Sequence, residues 1–146
     1  MEDIEVRFSD KVPEEGLHAP VMIEGLPGIG HVGKLVAEHM IQELGAEKVA
    51  EIHSIFFPPQ VIIDENGTTR LANNELYYYA GETHRFLFLV GDYQATSGEG
   101  HYLLADAYLD IAEECGVSRV YTLGGYGVGH LVDEPRVLGA VNQPGL

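Results

Sequence analysis

Residues 20–24, Pro-Val-Met-Ile-Glu, make a short apolar run that opens through Gly25-Leu26-Pro27-Gly28-Ile29-Gly30 into a pattern with helical period. A strand that feeds a helix through a tight loop commits the chain to a layered α/β arrangement. The right-handed crossover lays the helix on one sheet face and makes the next strand of the unit parallel. Val32, Leu35, Val36, Met40 and Leu44 mark the expected buried face of that helix, and Gly45 supplies a left-handed stop. A strand is expected at 48–53, with an extension over 54–57 that Pro58-Pro59 interrupts. The same order recurs later. Residues 85–91 form an apolar strand buried on both faces, and Thr96 with Glu99 fits a capping box. Leu104, Tyr108, Ile111, Ala112 and Cys115 then fall on one helical stripe that Gly116 ends, before a strand at 120–123.

Between the two units lies a different signal. Residues 61–64 and 68–71 flank Glu65-Asn66-Gly67, and Asn-Gly between apolar runs is a hairpin turn. Residues 75–79, rich in tyrosine, are expected to extend that hairpin into a meander, and 136–141 to form one last strand. Residues 1–19 read as an arm or edge strand. The expectation is a single α/β domain over 1–146, with a mixed, mostly parallel sheet flanked by helices and an antiparallel hairpin insert. Three loops, 25–33, 92–100 and 124–129, then leave carboxyl ends of strands, the edge where open α/β sheets bind ligands.

Charge narrows the function classes. Eight Lys and Arg stand against 23 Asp and Glu, a formal charge of −15. Binding to nucleic acid or to anionic membrane depends on cations that neutralise phosphates, so neither partner is expected. A lone cysteine, Cys115, allows no internal disulfide and suits a reducing compartment. The start, Met1-Glu2-Asp3-Ile4-Glu5, is acidic where a signal peptide is basic, and the longest apolar run, residues 86–90, is far too short to span a bilayer. A cytoplasmic protein is the expectation.

Several residues could carry chemistry, and each has a plainer reading. Gly28-Ile29-Gly30-His31-Val32-Gly33 matches the Gly-x-Gly-x-x-Gly phosphate loop, with Lys34 adding charge. Glu51 is near the offset of a ribose-binding acid, yet it falls in mid-strand, and Leu35 stands where a P-loop has its magnesium-binding Ser or Thr. The plainer reading is a tight turn with close helix–strand packing. Gly127-Val128-Gly129-His130-Leu131 echoes the first loop and could bring His31 and His130 together, but a metal shell needs three or four ligands and no ligand-spaced pair occurs, so no metal is expected. Asp92 is a candidate general base or a turn acceptor. Ser97 reads as a cap and Cys115 as core. Phe56, Phe57, Tyr77, Tyr78 and Tyr79 could form an exposed aromatic patch for a protein partner, or simply cover the sheet.

Taken together, the loop residues Gly25, Pro27, Gly28, Gly30, Gly33 and Lys34 resemble the opening loop of the proteasome assembly chaperone family, in particular its archaeal homologues. Asp92-Tyr93-Gln94, Gly100-His101-Tyr102, Tyr121-Thr122-Leu123-Gly124-Gly125-Tyr126-Gly127 and Glu134-Pro135-Arg136-Val137 with Gly139-Ala140 extend the resemblance over residues 20–142. It implies a fold akin to purine nucleoside phosphorylase, binding to proteasome α subunits during assembly rather than catalysis, self-association, and neither cofactor nor catalytic residue. The loops, with Gly124, Gly125 and Tyr126, and the aromatic patch are then the expected partner surface. The alternative is a nucleotide, nucleoside or phosphate ligand on the Gly28 to Gly33 loop, with Asp92 as base. Two departures stand out. Family members run longer, so a C-terminal portion is expected to be missing, and the chain ends Pro144-Gly145-Leu146 where some members have a hydrophobic-Tyr-any docking tail.

Overall fold

The computed structural model describes residues 2–145. Ten elements follow in order: β1 (Ile4–Phe8), β2 (Val21–Gly25), α1 (Val32–Leu44), β3 (Glu47–Ser54), β4 (Val61–Ile63), β5 (Thr69–Leu71), β6 (Asn74–Ala80), β7 (Arg85–Gly91), α2 (Gly98–Glu114) and β8 (Arg119–Thr122). Six strands form one sheet in the order β1-β3-β6-β7-β2-β8, and β4-β5 is a separate hairpin. The strands that carry the helices, β2, β3, β7 and β8, all run the same way, as the crossover rule requires.

The expectation of a mostly parallel sheet needs correction at the level of its ladders. Only β2–β7 and β2–β8 are parallel, while β1–β3, β3–β6 and β6–β7 are antiparallel. The reason is β6. The tyrosine strand does not extend the hairpin but inserts between β3 and β7, pairing with both. Its alternating pattern suits a central strand, with Leu76 and Tyr78 on one face and Tyr77 and Tyr79 on the other.

Alternation along β2 and β7 divides the core. Met22, Leu87 and Leu89 meet Leu104, Ile111 and Ala112 of α2, whereas Ile23, Phe88 and Val90 meet Ala37 and Ile41 of α1. The α2 stripe is the one expected from its period. The α1 stripe is so only in part, with Met40 and Leu44 packed against the core. The buried residues of α1 are Gly33, Ala37 and Ile41, while Val32, Leu35 and Val36 face outward. Small residues at i and i+4, Gly33 and Ala37, let the helix settle close to the sheet. A Cβ on Gly25 would lie 2.5 Å from that of Ala37, and one on Gly33 would lie 2.0 Å from Leu123 O. A pattern that weights large apolar side chains points to the wrong side of such a helix.

Smaller differences have local causes. The N-cap of α2 is Ser97, whose Oγ accepts the Gly100 N–H at 3.1 Å; Thr96 instead sends both its N–H and its hydroxyl to Phe56 O. Of residues 54–57 only Ser54 extends, ending β3; 55–57 turn, with Ser54 Oγ accepting the Phe56 N–H. Residues 136–141 form no strand: Val137, Leu138 and Val141 stand in solvent with no ladder to join. Residues 4–8 form the edge strand that pairs with β3. No helix among the described residues is long and apolar enough to cross a membrane.

Candidate functional site at the carboxyl rim of the sheet

Four strands point to one edge of the sheet, and the loops that leave it interlock. Gly28 begins a single 3-10 turn, Ile29–His31, in which Gly30 and His31 both take left-handed backbone angles, φ 62° and 53°. That pair swings the chain from β2 into α1. Gly125 then packs so closely that a Cβ would lie 2.2 Å from Ile29 O, and Gln94 Nε2 donates to Pro27 O at 2.6 Å. The loops after β2, β7 and β8 therefore meet at one rim, as the strand order predicts.

What this rim does with its glycines is mainly packing. Gly25, Gly33 and Gly125 each sit where a side chain would strike backbone. The His31 and Val32 N–H groups are spent on Gly28 O and Ile29 O. Lys34 Nζ donates to Gly91 O at 2.7 Å and lies 3.4 Å from Glu38, so its charge is held against the end of β7. His130 Nδ1 is 2.9 Å from Val128 O, and no three His, Cys, Asp or Glu among the described residues cluster as metal ligands.

Asp92 ends β7 and is fully engaged. Arg70 of β5 reaches both of its oxygens, at 2.5 and 3.0 Å, and the Asn73 N–H donates at 3.1 Å. Burial alone would push this carboxyl up, but the Arg70 hydrogen bonds, the Asn73 N–H and the nearby positive charge hold it below the usual carboxylate range. An anion fixed in this way ties the hairpin to the sheet and is poorly suited to take a proton. Beside it, Asn74 is buried in β6. In the amide orientation that satisfies all its neighbours, its oxygen accepts from the Tyr108 hydroxyl at 2.6 Å and its nitrogen donates to Tyr93 O and Asn73 O.

Glu24, which the sequence did not single out, ends β2 on the same rim. One oxygen accepts the Leu26 N–H at 2.8 Å, and among the described residues no basic side chain reaches the carboxylate. Burial pushes its carboxyl up. It lines two adjoining hollows. One, of about 310 Å³, lies between α2 and strands β2 and β8. The other lies among Gly28, Ile29, Gly124, Gly125, Tyr126 and Leu138.

The aromatic patch expected from Phe56, Phe57, Tyr77, Tyr78 and Tyr79 does not exist as one surface. Phe57 and Tyr78 are 5% and 8% exposed, and Phe56 is wedged against Gly100. Those three pack with the α2 core, whereas Tyr77 and Tyr79 pack on the α1 side. The Tyr77 hydroxyl donates to Glu75, and burial with that neighbouring charge pushes it up to about 12. A central strand buries both faces, which is why its rings are not free. Exposed apolar side chains stand instead at the rim, and also on the β4-β5 hairpin at Val61, Ile63 and Leu71. Ile29 is 64% exposed, Tyr126 76% and Leu138 67%, all around the second hollow. Val32, Leu35 and Val36 continue it along α1.

Comparison with known proteins agrees with this architecture. A family model described as the PAC2 family matches residues 22–146. A protein of Methanocaldococcus jannaschii, designated uncharacterized protein MJ1210, is 43% identical over 129 residues, which cover 88% of this chain and 50% of that protein. The crystal structure of Pyrococcus furiosus PbaB, described as an archaeal proteasome activator, superposes with a TM-score of 0.86 at 40% identity, over 93% of this chain and 57% of PbaB. Pyrococcus furiosus PbaA, described as an archaeal homolog of proteasome-assembly chaperone, shares the fold at 23% identity with a TM-score of 0.63, over 90% of this chain and 52% of PbaA. The chain spans about half the length of these relatives. Strand order, interlocked rim loops and a family match over nearly the whole chain lead to one conclusion: this protein belongs to the PAC2 family.

Proposed function

We propose that this chain acts without catalysis, as a chaperone-like protein that binds proteasome α subunits through the carboxyl rim of its sheet. The observation that carries this reading is the exposed apolar surface of Ile29, Val32, Leu35, Tyr126 and Leu138, gathered where three loops lock together. A rigid base presenting exposed aliphatic and aromatic side chains is the form of a protein-binding surface. PbaB, the relative described as a proteasome activator, lends the partner class. Self-association and a cytoplasmic location belong to the same reading. So does the likeness to purine nucleoside phosphorylase, which imports no activity, because function resides in sites rather than folds.

The direct test is capture of purified proteasome α subunits on immobilised full chain, beside an acidic control protein of matched charge. Enrichment over the control is expected, with a loss of about tenfold or more in the double variant Ile29→Glu, Tyr126→Glu, since charges at the centre of an apolar interface cost several kcal/mol. No enrichment over the control sinks the reading. Equal capture by the double variant moves the surface away from the rim.

A further inference from the structure

We propose that Asn66, at the tip of the β4-β5 hairpin, is a site of spontaneous deamidation to aspartate and isoaspartate, assisted by Thr68. The reaction is intramolecular and consumes only water. It depends on no cleft, partner or surface outside the turn, and it stands apart from α-subunit binding. Of the chain's asparagines, Asn66 alone precedes a glycine. Asn73 and Asn74 are buried, and Asn142 precedes Gln143. The turn is closed by the Gly67 N–H on Asp64 O and the Asp64 N–H on Thr68 O, both 2.8 Å, and Gly67 takes φ 81°. A residue with a Cβ would be strained there and would crowd its own nitrogen; glycine leaves that nitrogen open to the side chain before it. Asn66, Gly67 and Thr68 are all exposed.

The side chain is prepared for attack at one atom. Asn66 Oδ1 accepts from the Thr68 N–H at 3.2 Å and from the Thr68 hydroxyl at 2.7 Å. The other acceptor near that hydroxyl, Asp64 Oδ2, is farther, at 3.4 Å. The backbone N–H fixes the orientation of the amide, because only its oxygen can accept. When the Gly67 nitrogen adds to Asn66 Cγ, a C–N bond forms, the carbonyl π pair moves onto Oδ1, and Gly67 gives its proton to solvent. Two donors already aimed at Oδ1 stabilise that oxyanion. The pair then returns, the Cγ–Nδ2 bond breaks, and Nδ2 leaves as ammonia with a proton from solvent. Water opens the cyclic imide at either carbonyl, giving aspartate or isoaspartate with no net oxidation. The Gly67 hydrogen bond to Asp64 O has to open first, so the folded turn gates the reaction that it assists. Either product places a further carboxylate after Asp64 and Glu65, and isoaspartate also adds a methylene to the main chain of the turn. Asp64 lies 3.4 Å from Arg70 Nε, so the change falls beside the residue that clamps Asp92.

The test incubates the full chain at mildly alkaline pH and follows it by peptide mapping with mass spectrometry, beside the free peptide of residues 64–69. The Asn66 fragment is expected to split into two products of one mass, of which an isoaspartyl methyltransferase labels one. Fragments holding Asn73, Asn74 and Asn142 should stay intact. Thr68→Val keeps the N–H and the branched shape and removes the hydroxyl. It should slow conversion in the folded chain about tenfold, the worth of one hydrogen bond to a charged oxygen, and leave the rate of the free peptide unchanged. Thr68→Ser should restore the native rate. Rates in the folded chains are compared after division by Gly67 amide exchange, which takes out any change in how often the turn opens. An Asn66 fragment that stays intact while the free peptide converts overturns the proposal, and so does a Thr68→Val chain that converts as fast as the native one.

Discussion

Asp92 and Glu24 end adjacent parallel strands on one rim, and the two regions are finished in opposite ways. Around Asp92 the hairpin β4-β5 brings Arg70 over the strand end, the Asn73 N–H closes from the side, and the acid becomes part of the frame. Around Glu24 no hairpin arrives. Its outer neighbour β8 is exposed at every residue, and the acid lines a hollow walled largely by apolar side chains. The difference lies not in the residue type but in which neighbours the topology delivers. Where antiparallel insertions crowd in, charges are answered and aromatic rings are buried. On the parallel side, Glu24 meets only a backbone N–H among the described residues, and apolar side chains such as Val120 are exposed.

Three substitutions bear on this contrast, in decreasing order of effect. Gly33→Ala places a methyl 2.0 Å from Leu123 O and forces α1 away from the open side. A loss of about 3 kcal/mol in urea unfolding is expected, with the Asp92 region unchanged by NMR. A neutral result would show that the close approach of α1 to the β8 loop is not needed.

Asp92→Asn should cost about 2 kcal/mol at neutral pH, allowing for solvent around a partly exposed pair, because it breaks the tie between hairpin and sheet. The acid's folded-state value lies below its unfolded one. The stability it contributes is therefore present above the usual aspartate range and lost as pH falls through the depressed value. The deficit of the variant should shrink as pH falls, read from Tm against pH, and a constant deficit would mean the charge is not what matters.

Glu24→Gln runs the other way. The folded-state value of Glu24 is raised, so the native chain holds its full contribution below the usual glutamate range and loses it as pH rises through the raised value. The variant keeps an acceptor for the Leu26 N–H without the charge. It should equal the native chain in acid and exceed it slightly at neutral pH, by up to about 1 kcal/mol. A destabilised variant at neutral pH would mean that Glu24 is paired after all.

Much of the frame was legible in the residues themselves. The α2 stripe from Leu104 to Cys115, the Asn66-Gly67 hairpin turn and the alternation that makes β7 apolar on both faces are local patterns whose period survives folding. The α1 face was misread because Gly33 and Ala37 bury by being small, and smallness carries no hydrophobic signal. The site was legible only in outline. That the loops around Gly28, Asp92 and Gly125 share a rim follows from strand order. That Arg70, 22 residues upstream, would claim Asp92 while among the described residues only the Leu26 N–H reaches Glu24 does not, because both facts depend on pairing distant strands.

The sequence by itself determined the crossover units, the loops that end on a common edge and the acidic character that sets the sign of any partner. These depend on residue type and on spacing within one element. Only the tertiary structure decided that the tyrosine strand lies at the centre, that Ile29, Tyr126 and Leu138 are exposed around one hollow, and that one rim carboxylate meets an arginine and the other a backbone N–H. Burial and ion pairing are properties of neighbours, and neighbours across a sheet are chosen by topology rather than by distance along the chain.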